Sequence, residues 1–195
     1  RSRSFKEKGY TFDMGPSWYW MCDVFDNFFN QLNKKRSDYY KITRLNPGFK
    51  IIFENHQDMI VPAEWNSICE LFEKTQKGSS IRLNKFMKEA SQKYNISMKN
   101  LIYNPGLSLK EFLKIKIIKN LFKLNLFSSY RKHITKYFKH PKLIALLEFP
   151  ILFLGSTAQN TPALYSLITY SGIKEGTFYP SGGFGKVIDA FVKLC

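Results

Sequence analysis

The sequence has few cysteines and no long apolar run. Its three cysteines, Cys22, Cys69 and Cys195, are widely spaced and form no Cys-x-x-Cys pair, so neither a disulfide framework nor a zinc site is indicated. The most apolar window spans residues 143–154 and is too short for a membrane-spanning helix, which needs about 20 residues. The opening residues carry no signal-peptide pattern. A reducing, cytoplasmic compartment is therefore expected.

Motifs for the common catalytic chemistries are also missing. The three histidines have no partner at metal-ligand spacing, and the sequence contains no Gly-x-Ser-x-Gly elbow and no phosphate-binding P-loop. A hydrolase or a metalloenzyme is thus disfavoured. Asp13, Asp23 and Glu148 lie in aromatic or apolar runs, where we expect helix caps or satisfied core acids rather than catalysts.

Acidic residues are scarce, which leaves the chain strongly basic. Lys and Arg number 30 against 15 Asp and Glu, so the formal net charge is +15 over 195 residues. Such a charge attracts polyanions or anionic lipid headgroups, although the codon bias of an AT-rich genome accounts equally well for many lysines. With 44% hydrophobic residues, the chain can bury a core and does not resemble a disordered protein.

The first part of the sequence predicts short strands around a helix. Residues 10–14 alternate like a strand and run into Gly15, and a helix of about ten residues follows with Asp23 as its N-cap. Three further β-rich runs are separated by turn residues and predict an antiparallel meander. These runs are residues 39–45, 49–53 and 59–61.

The rest of the sequence is mainly helical in pattern. Helices are expected at 63–77, at 81–94, from 108 onwards, at 141–153 and at 162–170, followed by a strand at 176–179 and a last helix after 185. Residues 110–142 hold ten Lys or Arg and one acid, interleaved with apolar residues. Such a stretch is typical either of a helix in a membrane interface or of an ordinary helix with lysines facing solvent.

Two glycine turns each lie between a predicted strand and a predicted helix. They are Asp13-Met-Gly-Pro-Ser-Trp-Tyr-Trp20 and Tyr179-Pro-Ser-Gly-Gly-Phe-Gly-Lys186. A backbone without Cβ atoms can approach a flat or anionic ligand closely, although such turns are also common as purely structural features. The aromatic residues 18–20 predict either the wall of an apolar ligand site or core packing.

Four blocks of residues carry a resemblance to a known family, with the order and spacing of the blocks preserved. They are Arg1–Phe5, Gly9–Trp20, Thr161–Leu167 and Gly176–Val187. Together they resemble the bacterial-type phytoene desaturases, which are FAD-dependent carotenoid desaturases of the flavin amine oxidase-like superfamily. The resemblance covers essentially the whole chain.

This resemblance implies an α/β fold: a fragment of a Rossmann-like FAD-binding domain with an inserted substrate domain made of a small antiparallel sheet and a helical lid. Residues 1–20 and 176–195 would belong to the FAD-binding domain, and residues 21–175 to the substrate-binding and membrane-associated domain. The family's Gly-x-Gly-x-x-Gly fingerprint is missing from the sequence. We therefore expect an interior piece of a longer protein that is inactive alone.

The resemblance also implies FAD as cofactor and phytoene as substrate, with hydride transfer from the polyene to the flavin in carotenoid biosynthesis. No catalytic acid or base is assigned. The family's motifs map FAD contacts onto Arg1, Asp13, Gly15, Pro16, Ser17, Gly182 and Gly183, and we expect substrate contacts at Trp18, Tyr19, Trp20 and Tyr179.

Two other functions stay open at this point. A carotenoid cis-trans isomerase or saturase of the same superfamily would share the flavin fold and the apolar substrate. A noncatalytic basic module that binds membranes or RNA would explain the charge, although no RNA-recognition signature accompanies it. We expect a peripheral membrane surface as partner, and neither nucleic acid nor metal.

Overall fold

The computed structural model describes residues 3–54, 58–100 and 128–195. The chain divides into two compact units. The terminal unit combines Arg1–Ala63 with Glu175–Cys195, and the central unit is Glu64–Lys174. The expected helix from residue 108, and the part of the basic stretch up to residue 127, lie outside the described residues.

The terminal unit begins with an antiparallel hairpin. Strand β1 (Arg3–Glu7) pairs with β2 (Tyr10–Met14), which confirms the strand predicted at residues 10–14. The register sets Phe5 opposite Phe12, and their rings stack with centroids 5.0 Å apart. Asp13 lies on the other, polar face of the hairpin, because successive residues of a strand point to opposite sides.

The predicted meander is only partly correct. Strand β4 (Phe49–Ile51) pairs with β5 (Met59–Val61), as expected for neighbouring strands. Strand β3 (Ile42–Arg44) instead pairs with β6 (Phe178–Pro180), near the other end of the chain. The backbone groups of β3 therefore find their partners in β6 and not in β4. The amide of Leu45, just after β3, extends this pairing by donating to the carbonyl of Thr177 at 2.9 Å.

The terminal unit also contains two α-helices, α1 (Cys22–Gln31) and α7 (Gly185–Leu194), and a 3-10 helix at Arg36–Asp38. The expectation that Asp23 caps α1 is wrong, because Met21 holds the cap position and Asp23 lies in the first turn. There its carboxylate still interacts favourably with the helix dipole. Apolar faces of both helices enter one core, which consists of Tyr19, Phe29, Tyr40, Phe184, Val187 and Ala190.

The central unit is helical in the residues that the structure describes. Helices α2 (Trp65–Thr75) and α3 (Ser79–Asn100) pack together, and Gly78 between them adopts φ +74°. The remaining helices are α4 (Tyr130–Ile134), α5 (Pro141–Glu148), a 3-10 helix at Phe149–Leu154, a second one at Ala163–Tyr165, α6 (Ser166–Thr169) and a π-helical turn at Tyr170–Glu175.

Two of these segments differ in type from the sequence prediction. The helix expected at 141–153 changes to 3-10 geometry at Phe149, next to Pro150, which has no amide proton for a continuing α-helix. The helix expected at 162–170 is a succession of 3-10, α and π turns. Within the described ranges, no helix is long and apolar enough to cross a membrane.

The observed architecture is thus a mixture of helices and small antiparallel sheets, as the α/β expectation requires at that level. The compact units change at residues 63/64 and 174/175, whereas the functional division was drawn at 20/21 and 175/176. Compactness and ligand assignment are different properties. The assignment of these segments to cofactor or substrate therefore stays a prediction.

Candidate functional site

Asp13 joins the two glycine turns. Its Oδ2 atom accepts a hydrogen bond from the hydroxyl of Tyr179 at 2.5 Å and a second from the backbone amide of Phe184 at 2.7 Å. Asp13 belongs to the strand that leads into the first turn, and the two donors flank the second turn. The structure therefore brings together segments that are about 170 residues apart in the sequence.

The second turn is shaped so that Asp13 can reach it. Gly182 and Gly183 have φ values of +84° and +88°, a region that residues with a Cβ rarely adopt. A Cβ on Gly183 would lie 2.9 Å from Oδ2 of Asp13, whereas a Cβ on Gly182 would meet only the flexible side chain of Lys186, at 3.3 Å. Gly183 is thus required for its backbone conformation and for the close approach of the carboxylate.

The charge of Asp13 suits this position. Phe184 immediately precedes α7, so the carboxylate lies at the positive end of that helix dipole and satisfies one of its unpaired amides. The hydrogen bond to Asp13 raises the pKa of Tyr179 to about 12, because it stabilises the protonated phenol. Tyr179 is therefore a stable donor at neutral pH.

The backbone of the first turn is open to solvent. Gly15, Pro16 and Ser17 are all exposed, and none of them carries a large side chain. The neighbouring carboxylate of Asp13 is directed to the second turn by its two hydrogen bonds. Residues 15–17 thus offer exposed backbone with small side chains, next to Asp13, which is held by its bonds to the second turn.

Two tryptophans form a flat apolar surface just after this turn. The rings of Trp18 and Trp20 stack with centroids 5.9 Å apart and planes inclined by 6°, and both are partly exposed. The indole NH of Trp20 donates to Oγ1 of Thr177 at 3.0 Å, and the ring of Trp18 lies 6.3 Å from that of Phe49. The pair is therefore held in place while part of its surface stays accessible.

Tyr19 is placed differently from the two tryptophans. Only 1% of it is exposed, and its hydroxyl is hydrogen bonded to that of Tyr40 at 2.6 Å. Its amide and carbonyl form a β-bridge with Phe178, so the side chain points opposite to those of its two neighbours. The structure gives Tyr19 a core position, and we no longer place it among the substrate contacts.

The remaining sequence-selected residues are Arg1 and Glu148. Arg1 lies outside the described residues. Glu148 is paired with Arg131 in the central unit, and burial raises its pKa. Thr177 and the amide of Phe184 were missed, because a backbone donor and a lone threonine leave no sequence motif. Among the described residues, no group of three His, Cys, Asp or Glu could hold a metal ion.

Comparison with known proteins places these motifs in a family context. No family model matches the chain. It is 31% identical over 195 residues to a carotenoid 3,4-desaturase of Haloarcula japonica and 23% identical over 194 residues to a zeta-carotene-forming phytoene desaturase of Myxococcus xanthus. A phytoene desaturase of Phycomyces blakesleeanus is 26% identical over 189 residues.

These alignments cover 96–100% of the chain but only 32–39% of the three relatives, so the chain spans less than two fifths of their length. The blocks that carry the two glycine turns lie within the aligned range, because the first two alignments include the whole chain. Over its full length, this chain is related to the carotenoid and phytoene desaturases.

Proposed function

We propose that this chain is part of an FAD-dependent desaturase that removes hydrogens from phytoene in carotenoid biosynthesis. The proposal rests on the similarity of the whole chain to proteins named carotenoid or phytoene desaturases. The names of these relatives favour a desaturase over an isomerase, a saturase or a noncatalytic basic module. Because the chain spans under two fifths of them, we attribute the activity to a protein that includes it.

The exposure of the first turn supports a contact with the flat ring of a flavin. Gly15, Pro16 and Ser17 expose backbone without large side chains, and Asp13 holds this segment against the second turn. We propose that these residues lie beside the ring system. When bound, FAD would accept the hydride that leaves the polyene.

The second turn is a poorer candidate for contact with the cofactor's phosphates. The start of α7 is already occupied by the carboxylate of Asp13, and a phosphate there would meet a negative charge. We therefore propose that Gly182 and Gly183 support the flavin site by positioning the chain. The phosphate contact inferred for Arg1 concerns a residue outside the described part and stays a prediction.

The tryptophan pair is the proposed substrate surface. A polyene hydrocarbon offers no hydrogen-bonding groups, so its recognition depends on apolar area and shape. Trp18 and Trp20 provide a flat, partly exposed apolar surface held by the bond to Thr177. Tyr179 lies two residues after Thr177, but its hydroxyl is bonded to Asp13, so we assign it a positioning role.

The roles of the remaining segments follow the expected division of the family. We propose that residues 1–20 and 176–195 contribute to a Rossmann-like FAD-binding domain. Residues 21–175 would then form the substrate and membrane part, with the helices of the central unit as its lid. One observation supports this division: both terminal segments belong to the same compact unit, and the central unit is helical in its described residues.

We also propose that the protein binds a membrane surface without crossing it. The basic stretch at 110–142 supplies charge for anionic lipids, and Leu152, Phe153 and Leu154 are exposed by 67%, 50% and 40% at the end of a 3-10 helix. Sedimentation of the chain with anionic vesicles, weakened by salt and by Phe153→Ser, is the expected result. A chain that stays in the supernatant with anionic vesicles at low salt would contradict this proposal.

The activity is tested with the protein encoded by the complete reading frame that contains this chain. We expect it to purify with bound flavin and to convert phytoene to products that absorb visible light. Phe153→Ser serves as a control for membrane delivery, and the assay is repeated with phytoene in detergent. Colourless or merely isomerised products, from protein that does hold flavin, would contradict desaturation and favour the related superfamily activities.

A further inference from the structure

A buried lysine ties together three segments of the central unit. Lys93 of α3 is only 2% exposed, and its ammonium group lies 3.3 Å from Nε2 of His133 and 3.3 Å from Oγ of Ser166. Its third contact is the backbone carbonyl of Ala163, at 3.2 Å. The three donors of the ammonium group thus meet three acceptors from α4 and from residues 163–166.

The contact to His133 fixes the protonation state of that ring. A charged ammonium group can only donate, so while Lys93 is protonated Nε2 can bond to it only if this nitrogen carries no proton; His133 is then neutral with its proton on Nδ1. His133 is itself buried, with 3% exposed. A protonated ring would instead place two positive charges 3.3 Å apart in a site with little water.

A second partner faces the same nitrogen. Oε2 of Glu89 lies 3.6 Å from Nε2 of His133, within range of an ion pair if the ring is protonated. The other carboxylate oxygen of Glu89 accepts a hydrogen bond from the hydroxyl of Tyr137. Nε2 therefore lies between a cation that donates to it and an anchored carboxylate that would accept from it.

We propose that Nε2 of His133 is a proton-controlled switch within the central unit. Without a proton it accepts from Lys93 and closes the junction of α3, α4 and residues 163–166. With a proton it donates to Glu89, and Lys93 loses one of its three acceptors. This inference goes beyond the proposed function and does not depend on it.

The electrostatic surroundings place the change below neutral pH. Burial, together with the charges of Lys93 and Lys136, lowers the pKa of His133 to about 4. Burial likewise lowers the pKa of Lys93 to about 8, with Lys136 acting in the same direction and Glu89 in the opposite one. From residues 163–166 only uncharged groups face Lys93, and Tyr137 stays protonated because its pKa is raised.

The direction of the pH effect follows from these values. The folded chain binds a proton at His133 less readily than the unfolded chain, whose imidazole has a pKa of about 6.5. Between about pH 6.5 and pH 4 the unfolded state therefore takes up a proton that the closed junction does not. The contribution of His133 to the free energy of unfolding is therefore complete above this range and decreases as the pH falls through it.

The test is a titration of the full chain with ¹⁵N-labelled histidine, followed by NMR. For His133 we expect an unprotonated Nε2 at neutral pH and a midpoint well below 6.5. Lys93→Met should raise this midpoint by about 1 unit or more, because it removes the neighbouring charge. Lys85→Met, at an exposed position of the same helix, is the control and should leave the midpoint unchanged.

A second variant keeps the proposal open to refutation if Lys93→Met does not fold. Glu89→Gln removes the acceptor of the protonated ring, so it should move the His133 midpoint down, opposite to Lys93→Met. The bond from Tyr137 can still form to the amide oxygen. A proton on Nε2 at neutral pH, or a midpoint that Glu89→Gln leaves unchanged, would overturn the proposal.

Discussion

The terminal and central units each use one charged side chain to join segments far apart in the sequence, but with opposite charges and different burial. Asp13 is partly exposed and accepts bonds from a phenol and from an amide at a helix start. Lys93 is almost fully buried among a histidine and two uncharged oxygens. The negative charge of Asp13 is stabilised by its two donors and by the helix dipole, whereas burial destabilises the positive charge of Lys93.

The two contacts respond to pH in different ranges. Tyr179, which donates to Asp13, stays protonated up to strongly alkaline pH, because its pKa is raised to about 12. The contact of Lys93 with His133 lies between groups whose pKa values are lowered to about 8 and about 4. The terminal unit is thus expected to be insensitive across the neutral range, and the central unit to respond on both sides of it.

The largest expected effect is that of Asp13→Ala. It removes two hydrogen bonds to a charged acceptor and leaves the amide of Phe184 without a partner, so the free energy of unfolding should fall by about 3 kcal/mol. Urea unfolding of the full chain, followed by tryptophan fluorescence in a Trp65→Phe background, reports Trp18 and Trp20. Asp13→Asn, which keeps one acceptor oxygen, should lower the free energy of unfolding by about half as much. An unchanged free energy of unfolding in both variants would argue against the role of Asp13.

The next effect is a gain of stability with rising pH in the central unit. The unfolded chain keeps a proton on Lys93 up to a pKa of about 10.5, whereas the folded chain releases it near 8. Between pH 8 and pH 10 the junction should therefore gain about 2 kcal/mol, measured as the difference between the native chain and Lys93→Met in urea unfolding. If the free energies of unfolding of the native chain and Lys93→Met change in parallel over this range, burial does not lower the pKa of Lys93 as described.

A smaller difference separates the two glycines of the second turn. Gly182→Ala and Gly183→Ala impose similar backbone strain, because the φ values are +84° and +88°, but only the second places a Cβ 2.9 Å from Asp13. We expect Gly183→Ala to cost about 1 kcal/mol more in unfolding free energy than Gly182→Ala. Equal costs for the two substitutions would contradict the close approach of the carboxylate.

The smallest effect concerns Tyr179→Phe. The substitution removes one of the two bonds to Asp13 and keeps the ring, so a loss of about 1 kcal/mol or less is expected. Because the raised pKa of Tyr179 lies near 12, its share of stability should be present below about pH 10 and disappear between pH 10 and pH 12. The difference between the native chain and Tyr179→Phe, measured at pH 9 and pH 11.5, should decrease accordingly.

Local patterns in the sequence predicted much of the architecture. The alternation of residues 10–14, the periodicity after Asp23 and the glycine turn before residue 185 each identified an element that the structure contains. These signals are local because they depend on the period of a strand or helix and on the conformational freedom of glycine. Both turns of the candidate site were found in this way.

Contacts between distant residues could not be predicted from such patterns. The pairing of β3 with β6 and the bond from Phe184 to Asp13 involve backbone groups, which look the same in every residue. The sequence shows no partner for His133 at metal-ligand spacing, yet in the fold it meets Lys93, 40 residues away. The aromatic run predicts substrate contact for Tyr19 as for Trp18 and Trp20, but alternation along an extended segment places the Tyr19 ring in the core.

The central structural claim is that Asp13 and Gly183 join the two turns into one site. The most direct test is a double-mutant cycle of Asp13→Ala with Gly183→Ala, and in parallel with Gly182→Ala, by urea unfolding of the full chain. In the Asp13→Ala background, Gly183→Ala should become about as costly as Gly182→Ala, whose cost should not change. A cost of Gly183→Ala that is the same with and without the Asp13 carboxylate would contradict the account.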